Sequence, residues 1–477
     1  MEFLLTSLLR MRMRHILMFT LLFKAFLSFG QQGNYRYNNY GNRSAILSGN
    51  VTGSVTDIGL AYYNPARLTQ ISENGFEFNA RAYQLNTIKA DPLVPGEEGL
   101  NQTKFTGAPS IFGGTFTLFG QRFAYAVLNK YRLNRDLGSN YNTTNDGDTM
   151  DPFSYSTNFR SEVKDNWYGL SWAEEFKHLS LGISVFGAYY KYKGARSFNS
   201  VLQSEQRVNT DVLEYSFNQR SYGFWVKIGA EYKINNVDLG LNFSLPYLEV
   251  IQQGSYDLKQ IRAGSSDNTD VNYLYSFDNL NARRKYPWGV SLGAGISISR
   301  SRIHASIDYM SNLNEYKRFN LPVVELGQQQ LTELKFNEKR NAVLNFGVGG
   351  EIFIKGNIQG FFGFCTDFNA FEGENTYFDF QTSNIDELNA GTDFWHFSGG
   401  IDWDFRWGNV ILGLIYTRGT NTVSLIDSDV LNSLPLDFKR SVDIKTSKLQ
   451  FLLGFEIPFI NKTTKNIKQQ FKRRTSK

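Results

Sequence analysis

The strongest constraint on this chain is an alternation of apolar residues with small or polar ones that recurs along most of its length. Between Pro287 and Ser299, apolar side chains occupy one set of alternate positions, and Gly or Ser occupies the other. The same period of two appears in Ser221–Lys233, in Val237–Leu245 and in Leu449–Ile457. A period of two over such lengths predicts β-strands with one apolar face and one small or polar face.

The connections between these segments alternate between short and long. Short turns are expected near Gly120-Gln121, Lys177-His178, Asn235-Asn236, Arg300-Ser301, Lys355-Gly356 and Trp407-Gly408. Long polar connections are expected at 86–108, 132–165, 191–220, 247–286, 312–340, 370–393 and 421–446. This spacing predicts about fourteen strands, and it is typical of a transmembrane antiparallel β-barrel with long extracellular loops. The fold class is therefore all-β.

A soluble β-sandwich or propeller is the alternative architecture. It would have to cover the small and polar faces as well as the apolar ones, whereas the lumen of a closed barrel accommodates the polar faces. Aromatic residues make up 15% of the chain, yet the mean hydropathy is −0.35, as expected when only alternate residues face lipid. Aromatic residues at strand ends are predicted to form interfacial girdles, namely Trp167, Tyr168, Tyr189, Tyr190, Tyr232, Tyr247, Trp288, Tyr309, Trp395, Trp407 and Tyr416.

The two ends of the chain differ from the alternating part. Residues 1–30 are typical of a secretory signal peptide, with a basic stretch that includes Arg12 and Arg14 before the short apolar stretch Ile16–Phe29. The alternating part, 75–460, is predicted to form the barrel. Residues 461–477 are strongly basic without alternation and are predicted to be a periplasmic extension. Because the leader indicates export, nucleic acid is not an expected partner.

Residues 31–74 lie between the leader and the first predicted strand and fit neither a helix nor a barrel strand. Within Thr56–Gln70, Pro65 fixes its own backbone and restricts that of Asn64, which predicts a rigid turn. A rigid turn placed just before the strands predicts a plug, or hatch, inside or beneath the barrel.

The stretch Ser54–Leu68 resembles the hatch of the FadL family of outer-membrane transporters for hydrophobic compounds. Asn64, Pro65 and Ala66 correspond to the Asn-Pro-Ala hatch motif of that family, and Arg67 departs from its usual small residue. The resemblance implies a porin-like channel in the outer membrane of a Gram-negative bacterium. It also implies passive uptake of long-chain fatty acids or other lipophilic small molecules, which leave through a gap in the barrel wall.

The resemblance leaves a second function open. The same fold serves outer-membrane proteins associated with protein secretion, so a binding or assembly role for secreted proteins, without transport, is the alternative. Under either function, the implied partners include outer-membrane lipid, lipopolysaccharide and the barrel assembly machinery.

Charged residues within predicted strands suggest contacts to the plug. Asp402, Asp404 and Arg406 alternate with apolar residues and are therefore predicted to face the lumen, because an Arg or Lys facing lipid would cost about 2–4 kcal/mol. With Lys227 and Glu231, they form a hypothetical polar latch for the plug. Ordinary ion pairing that fills the lumen is the alternative.

Alternating aromatic residues in the predicted loop 247–286, namely Tyr273, Tyr275 and Phe277, are candidate contacts for a lipophilic ligand, with packing among themselves as the alternative. We expect neither a cofactor nor a metal, because Cys365 is the single cysteine and the four histidines lack metal-ligand spacing. His304 and Asp308 share a strand face but lie about 13 Å apart, too far for a direct hydrogen bond. The sequence therefore does not predict an enzyme.

Overall fold

The computed structural model describes residues 33–92, 98–142, 152–203, 207–264, 270–325, 331–371, 391–424 and 441–459. The predicted signal peptide 1–30 and the basic segment 461–477 lie outside these ranges. Within them, no helix has the length and apolar character that crossing a membrane requires.

The described residues form twenty β-strands. In chain order these are β1 (Gly75–Ala90), β2 (Leu100–Leu118), β3 (Gln121–Asn142), β4 (Phe153–Phe176), β5 (Leu179–Gln203), β6 (Val208–Ile234), β7 (Val237–Ser244), β8 (Leu248–Ala263), β9 (Val271–Leu280), β10 (Gly289–Ile298), β11 (Ser301–Met310), β12 (Leu313–Lys317), β13 (Val323–Glu325), β14 (Leu331–Glu333), β15 (Asn337–Arg340), β16 (Val343–Lys355), β17 (Ile358–Asp367), β18 (Asp393–Asp404), β19 (Asn409–Ser424) and β20 (Ser441–Pro458).

Fourteen of these strands close into an antiparallel barrel, which confirms the predicted fold class and strand number. Strands β1–β7, β10, β11 and β16–β20 form the wall, and pairing of β1 with β20 closes it. Short turns such as Lys177-His178 and Asn235-Asn236 lie at one end, called here the turn end. The other end, where the long connections lie, is called the loop end.

Several predicted long loops are instead continuations of strands. Strands β3–β6 are 22 to 27 residues long, although about 10 residues suffice to cross a membrane. Beyond the barrel, β8 pairs with the far end of β6 and β9 pairs with β8, which extends the sheet. The sequence hides this extension because, beyond the membrane, the outer face of a strand meets water instead of lipid, so its residues need not be apolar.

The connection between β11 and β16 covers the inner face of this extended sheet. It contains two small hairpins, in which β12 pairs with β15 and β13 pairs with β14. Phe319 of this connection lies 5.6 Å from Phe217 of β6 and 4.9 Å from Phe336, measured between ring centroids. Aromatic packing of this kind holds the connection against the sheet.

The outward face of the barrel is apolar. Leu170 is 66% exposed, and Leu241, Ile307 and Phe346 are between 43% and 50% exposed. This apolar band is typical of barrels that face lipid. The girdle prediction fails for Trp167, Tyr190 and Tyr247, which point inward and are buried, since they pack against the plug and the lumenal wall.

Residues 33–74 fill the lumen as a plug. Two short helical turns, Arg43–Ile46 and Leu60–Tyr63, are followed by the 3-10 helix Pro65–Gln70. The plug is almost entirely buried, and its apolar residues join clusters with wall residues such as Trp167 and Ile411. Lumenal glycines face the plug where a side chain would collide with it: Gly240, Gly293, Gly295, Gly347, Gly349, Gly363, Gly413 and Gly454.

Candidate functional site

The Asn-Pro-Ala turn joins the plug to the barrel wall. The side-chain oxygen of Asn64 accepts a hydrogen bond from the Ala66 amide at 3.2 Å, which caps the 3-10 helix that Pro65 begins. The side-chain amide of Asn64 donates to the carbonyl oxygen of Thr52 at 2.7 Å and to that of Ala230 in β6 at 3.1 Å. This one buried side chain therefore links the turn to the rest of the plug and to the barrel wall.

Two wall glycines allow this turn to approach the wall closely. A Cβ added to Gly229 would overlap the side-chain oxygen of Asn64. One added to Gly182 would lie 2.5 Å from the carbonyl carbon of Pro65, whereas real Cβ contacts essentially never fall below 3.0 Å. The fit of the motif thus depends on glycine at both wall positions.

Arg67, the residue that departs from the family pattern, forms a buried ionic contact with the wall. Its Nη1 pairs with Glu231 of β6 and lies 3.5 Å from Asp238 of β7, which also pairs with Arg302 of β11 at 3.1 Å. Nη1 also donates to the carbonyl oxygen of Gly53 at 3.1 Å. Burial lowers the pKa of Arg67, and the neighbouring carboxylates oppose that shift.

Arg43 forms a second ionic contact between the plug and the wall. Its Nε donates to Asp402 of β18 at 2.6 Å, and its Nη2 lies 3.0 Å from Glu456 of β20. Its Nη1 donates to the carbonyl oxygen of Thr56 within the plug at 2.8 Å. Burial lowers the pKa of Arg43, but Glu456 and Asp402 together raise it above its ordinary value.

Asp57 organises the plug internally. Its carboxylate accepts hydrogen bonds from the amide and the hydroxyl of Ser44, at 2.8 and 2.7 Å, and from the amide of Gly59 at 2.9 Å. It therefore links the two short helical turns. Burial raises the pKa of Asp57 above its ordinary value in spite of these donors.

The remaining residues of the hypothetical latch lie in different surroundings. Lys227 is buried, and its Nζ lies 4.0 Å from the ring centroid of Tyr62 in the plug, a cation–π contact. Asp404 ends β18, and its amide donates to the carbonyl oxygen of Asn357 at 2.9 Å. Arg406 lies exposed in the turn before β19, so the prediction that it faces the lumen is wrong. The strand ends before Arg406, and its alternation does not extend to that residue.

The barrel wall has a seam between β2 and β3. The two strands pair from the turn end only as far as Ile111 and Leu128, although both are strand beyond that point. The far half of β2 remains paired with β1, and the far half of β3 remains paired with β4. A hydrogen bond from the side chain of Gln102 to the carbonyl oxygen of Asp136, 2.7 Å long, crosses the seam.

Bulges mark the point where the seam begins. Ser110 is an extra residue in β2 relative to β1, and Lys130 is an extra residue in β3 relative to β4. Bulges bend a strand, so two of them side by side let the strands diverge. Both extra residues also contact the plug: Ser110 donates to the carbonyl oxygen of Asn39 at 3.1 Å, and Lys130 donates to the hydroxyl of Tyr62 at 2.6 Å.

Two cavities lie beside the seam on the lumenal side. The seam cavity, about 290 Å³, borders β1, β2, β3 and the plug and is lined by residues including Gln84, Ile88, Thr106, Leu133 and Tyr37. The outer cavity, about 120 Å³, lies above the plug towards the loop end. It is lined by seven tyrosines together with charged residues that include Lys130 and Arg284. Tyr37 lines both cavities and therefore stands between them.

Comparison with solved structures supports this architecture. The chain matches a FadL homologue of Pseudomonas aeruginosa with a TM-score of 0.56 and 14% identity, covering 90% of this chain and 100% of that one. It matches the toluene transporter TodX of P. putida (TM-score 0.54, 13% identity, 88% and 99% covered) and the toluene transporter TbuX of Ralstonia pickettii (0.52, 11%, 89% and 99%). The fold is that of the FadL-type channels. No family model and no curated protein matches the sequence.

In this FadL-type barrel, the predicted loop contacts do not line the seam cavity or the outer cavity. Tyr273, Tyr275 and Phe277 lie on β9 and stack on one another, with ring centroids 6.5 and 6.0 Å apart. The Tyr275 hydroxyl donates to the carbonyl oxygen of Glu325 at 2.6 Å. These contacts match the alternative of packing among themselves, and ligand contact by these residues stays a prediction.

The histidines of the FadL-type lumen contact the plug and the wall. His304 Nδ1 lies 2.5 Å from the Ser54 hydroxyl, and Asp308 pairs with Arg36 of the plug at 3.1 Å. His396 Nδ1 lies 2.8 Å from the Thr417 hydroxyl. The part of the chain that the structure describes holds no group of three or more His, Cys, Asp or Glu arranged to bind a metal ion.

Proposed function

We propose that this chain is an outer-membrane channel that takes up hydrophobic compounds passively, with the plug as its gate. The observation that carries the proposal is the unpaired seam between β2 and β3, because it is backed by a cavity and has an exposed aromatic side chain at its outer edge. Phe105, on the seam edge of β2, is 62% exposed on the barrel exterior and lies 5.5 Å from the ring of Tyr83. A molecule in the seam cavity would therefore leave into lipid.

The proposed route needs no energy source. A compound would enter the outer cavity among its tyrosines, pass Tyr37 into the seam cavity, and leave sideways between the diverging strands. Each Å² of apolar surface that leaves water contributes about 25 cal/mol, so entry into the bilayer is downhill. The plug fills the straight path along the axis, which accounts for an exit through the wall.

The cargo and the location are part of the same proposal. TodX and TbuX are described as toluene transporters, and CymD as a monoaromatic hydrocarbon channel. These descriptions favour hydrocarbons as cargo, while Lys130 in the outer cavity would also suit a long-chain fatty acid carboxylate. The apolar exterior favours the outer membrane of a Gram-negative bacterium, where lipid and lipopolysaccharide would surround a barrel inserted by the barrel assembly machinery.

A reversible lock on the seam tests the route. Thr106 of β2 and Leu133 of β3 both line the seam cavity, and they would face each other if the pairing of Ile111 with Leu128 continued. A Thr106→Cys, Leu133→Cys variant should form a disulfide under oxidation. The control is Thr117→Cys with Arg122→Cys, because those positions already pair across the same two strands.

Uptake of a labelled fatty acid and of labelled toluene is measured in cells with each variant. Oxidation of the seam variant should abolish uptake and reduction should restore it, while the control should transport in both states. If the oxidised seam variant still transports as well as the control, the route through the seam is refuted. Uptake equal to that of cells lacking the protein, for all variants and cargoes, would refute transport itself.

A binding role is the second candidate, favoured by the sheet that β4–β6, β8 and β9 extend beyond the barrel. In the described residues, β9 pairs with β8 on one side and ends the sheet, and Leu274 on it is 76% exposed. Free strand edges of this kind accept further strands. A photo-crosslinker at Leu274 that captures one secreted protein in cells, in a strain whose uptake does not depend on the chain, would favour binding over transport.

A further inference from the structure

A row of basic side chains crosses the outer face of the barrel, on the loop side of the apolar band. Four successive strands contribute one residue each, and each residue lies opposite the next in the pairing register. In order, they are Arg132 (β3), Lys164 (β4), Lys191 (β5) and Arg220 (β6), called here the basic row. Neighbouring strands lie about 4.8 Å apart, so the row is about 14 Å wide.

The basic row lies where the barrel exterior changes from apolar to polar. On β4, the outward side chains of Leu170 and Tyr168 are 66% and 56% exposed, and the row follows four residues beyond Tyr168 towards the loop end. On β5 and β6, Tyr189 and Tyr222 lie two residues from the row on its turn-end side, with ring centroids 5.1 Å apart. Aromatic residues of this kind mark the edge of the hydrocarbon layer. The row therefore lies at the level of lipid headgroups.

The positive charge at this level is balanced only in part. Lys164 pairs with Glu162 at 2.7 Å, and Glu162 also lies opposite Lys193, an exposed lysine on the same outward face of β5. The other three residues of the row form no ion pair with any carboxylate that the structure describes. Further towards the loop end, Asp136 pairs with Arg160 at 3.0 Å, which adds no net charge. A surface with charge of one sign attracts a ligand of the opposite sign.

The surroundings of the basic row favour an anionic lipid over a soluble anion. Guanidinium and ammonium groups both bind phosphate, the first through two parallel hydrogen bonds and the second as a point charge. The row is wider than one phosphate group, which favours a headgroup that carries more than one. The aromatic and apolar residues on the turn-end side of the row continue the same surface, so acyl chains attached to that headgroup would lie against them.

We propose that the basic row binds the phosphate groups of a lipopolysaccharide molecule in the outer leaflet. This inference rests on the outer-membrane location proposed above, in which the loop end faces outwards. It does not depend on transport. Because Arg132 belongs to β3 beyond the point where the pairing with β2 stops, the bound lipid borders the seam.

Lipid binding by the full chain tests this inference. Native mass spectrometry in a zwitterionic detergent counts the lipid A molecules bound at increasing lipid A concentration, which gives a Kd. The row variant is Lys164→Gln with Lys191→Gln and Arg220→Gln. The matched control removes the same number of exposed cations from the turn end, in Lys177→Gln with Arg300→Gln and Lys355→Gln. Resistance to unfolding by dodecyl sulfate confirms that each variant is folded.

A basic residue beside anionic lipid contributes about fivefold to binding, so the row variant should bind lipid A about 100-fold more weakly. Lys191→Gln alone should weaken binding about fivefold, and the control should stay within about twofold of the unchanged protein. Lipid A without its phosphates should bind the unchanged protein at least about tenfold more weakly.

Equal affinity of the row variant and the control for lipid A would overturn the inference, and so would unchanged binding of lipid A without phosphates. Phosphatidylglycerol is the second probe. If it binds the unchanged protein as tightly as lipid A does, the row recognises anionic lipid in general and the assignment to lipopolysaccharide is wrong. Because the measurement reads lipid binding and not uptake, its outcome is independent of the route through the seam.

Discussion

Removal of the Arg67 guanidinium should loosen the plug by an amount that the structure allows to be worked out. In Arg67→Met, the apolar part of the side chain is kept, but Glu231 remains buried at 1% exposed without its cation. Breaking a buried ion pair from one side costs about 3–5 kcal/mol. At about 1.4 kcal/mol per factor of ten, the open population of the plug should rise about 100- to 4,000-fold.

Hydrogen exchange of the plug amides, followed by mass spectrometry on peptides from 33–74, measures that opening directly. Exchange in Arg67→Met should accelerate by the factor given above, while amides in the paired core of β18 and β19 should keep their protection. Arg406→Met is the matched control, because this arginine is exposed in a turn. A surface substitution of this kind changes stability by no more than about 0.5 kcal/mol.

The pairing itself is tested by adding Glu231→Gln to Arg67→Met. The double variant removes the charge that the single variant leaves uncompensated, so it should recover most of the lost protection. Unchanged exchange in Arg67→Met, or a double variant that opens as readily as the single one, would refute the view that this pair holds the plug.

Other substitutions test the close fit of the plug. Asn64→Ala removes the side-chain hydrogen bonds to Ala66, Thr52 and Ala230 and should weaken the plug by about 1–3 kcal/mol, seen as faster exchange in 60–70. Gly229→Ala should displace the Asn-Pro-Ala turn and raise the permeability of cells to small polar dyes. Gly399→Ala, where the nearest atom to the added Cβ would be 3.7 Å away, should not. Equal permeability in the two glycine variants would count against the tight fit.

The barrel was predictable because lipid outside and the lumen inside impose opposite polarity on alternate residues. Pro287–Ser299 shows the effect, since its apolar set includes Leu292, which is 54% exposed on the exterior, while Gly293 meets Gly53 of the plug. The alternation of apolar and polar residues stops where the strands leave the membrane. Beyond the membrane, both faces of β4–β6 meet water or other protein. The sequence of these strand ends therefore resembles that of polar loops.

The plug contacts were predictable only in part. Asp402 and Glu231 could be placed on the lumenal face by alternation, and both bind arginines of the plug. Their partners Arg43 and Arg67 could not be found in this way, because the plug has no regular period. The available signal was the presence of basic residues in a segment predicted to fill the lumen, because a buried cation needs a counter-charge.

The seam could not be predicted from the alternation either, because the pairing of two strands depends on the residues of both. One local signal exists. Pro109 lies next to the bulged Ser110, at the point where β2 and β3 diverge. Proline cannot donate to a ladder, and it is confined to strand edges, strand starts and bulges. A proline inside an alternating segment thus marks the place where the pairing between β2 and β3 stops.

The central claim is that hydrophobic molecules occupy the cavities beside the seam. The most direct measurement is a crystal structure of the protein soaked with a bromine-labelled fatty acid or a bromobenzene, with the bromine located by its anomalous signal. Bromine in the outer cavity near Tyr37 and in the seam cavity near Thr106 and Leu133 is the predicted result. Bromine found only on the apolar exterior or among the loops, with both cavities free of it, would contradict the account.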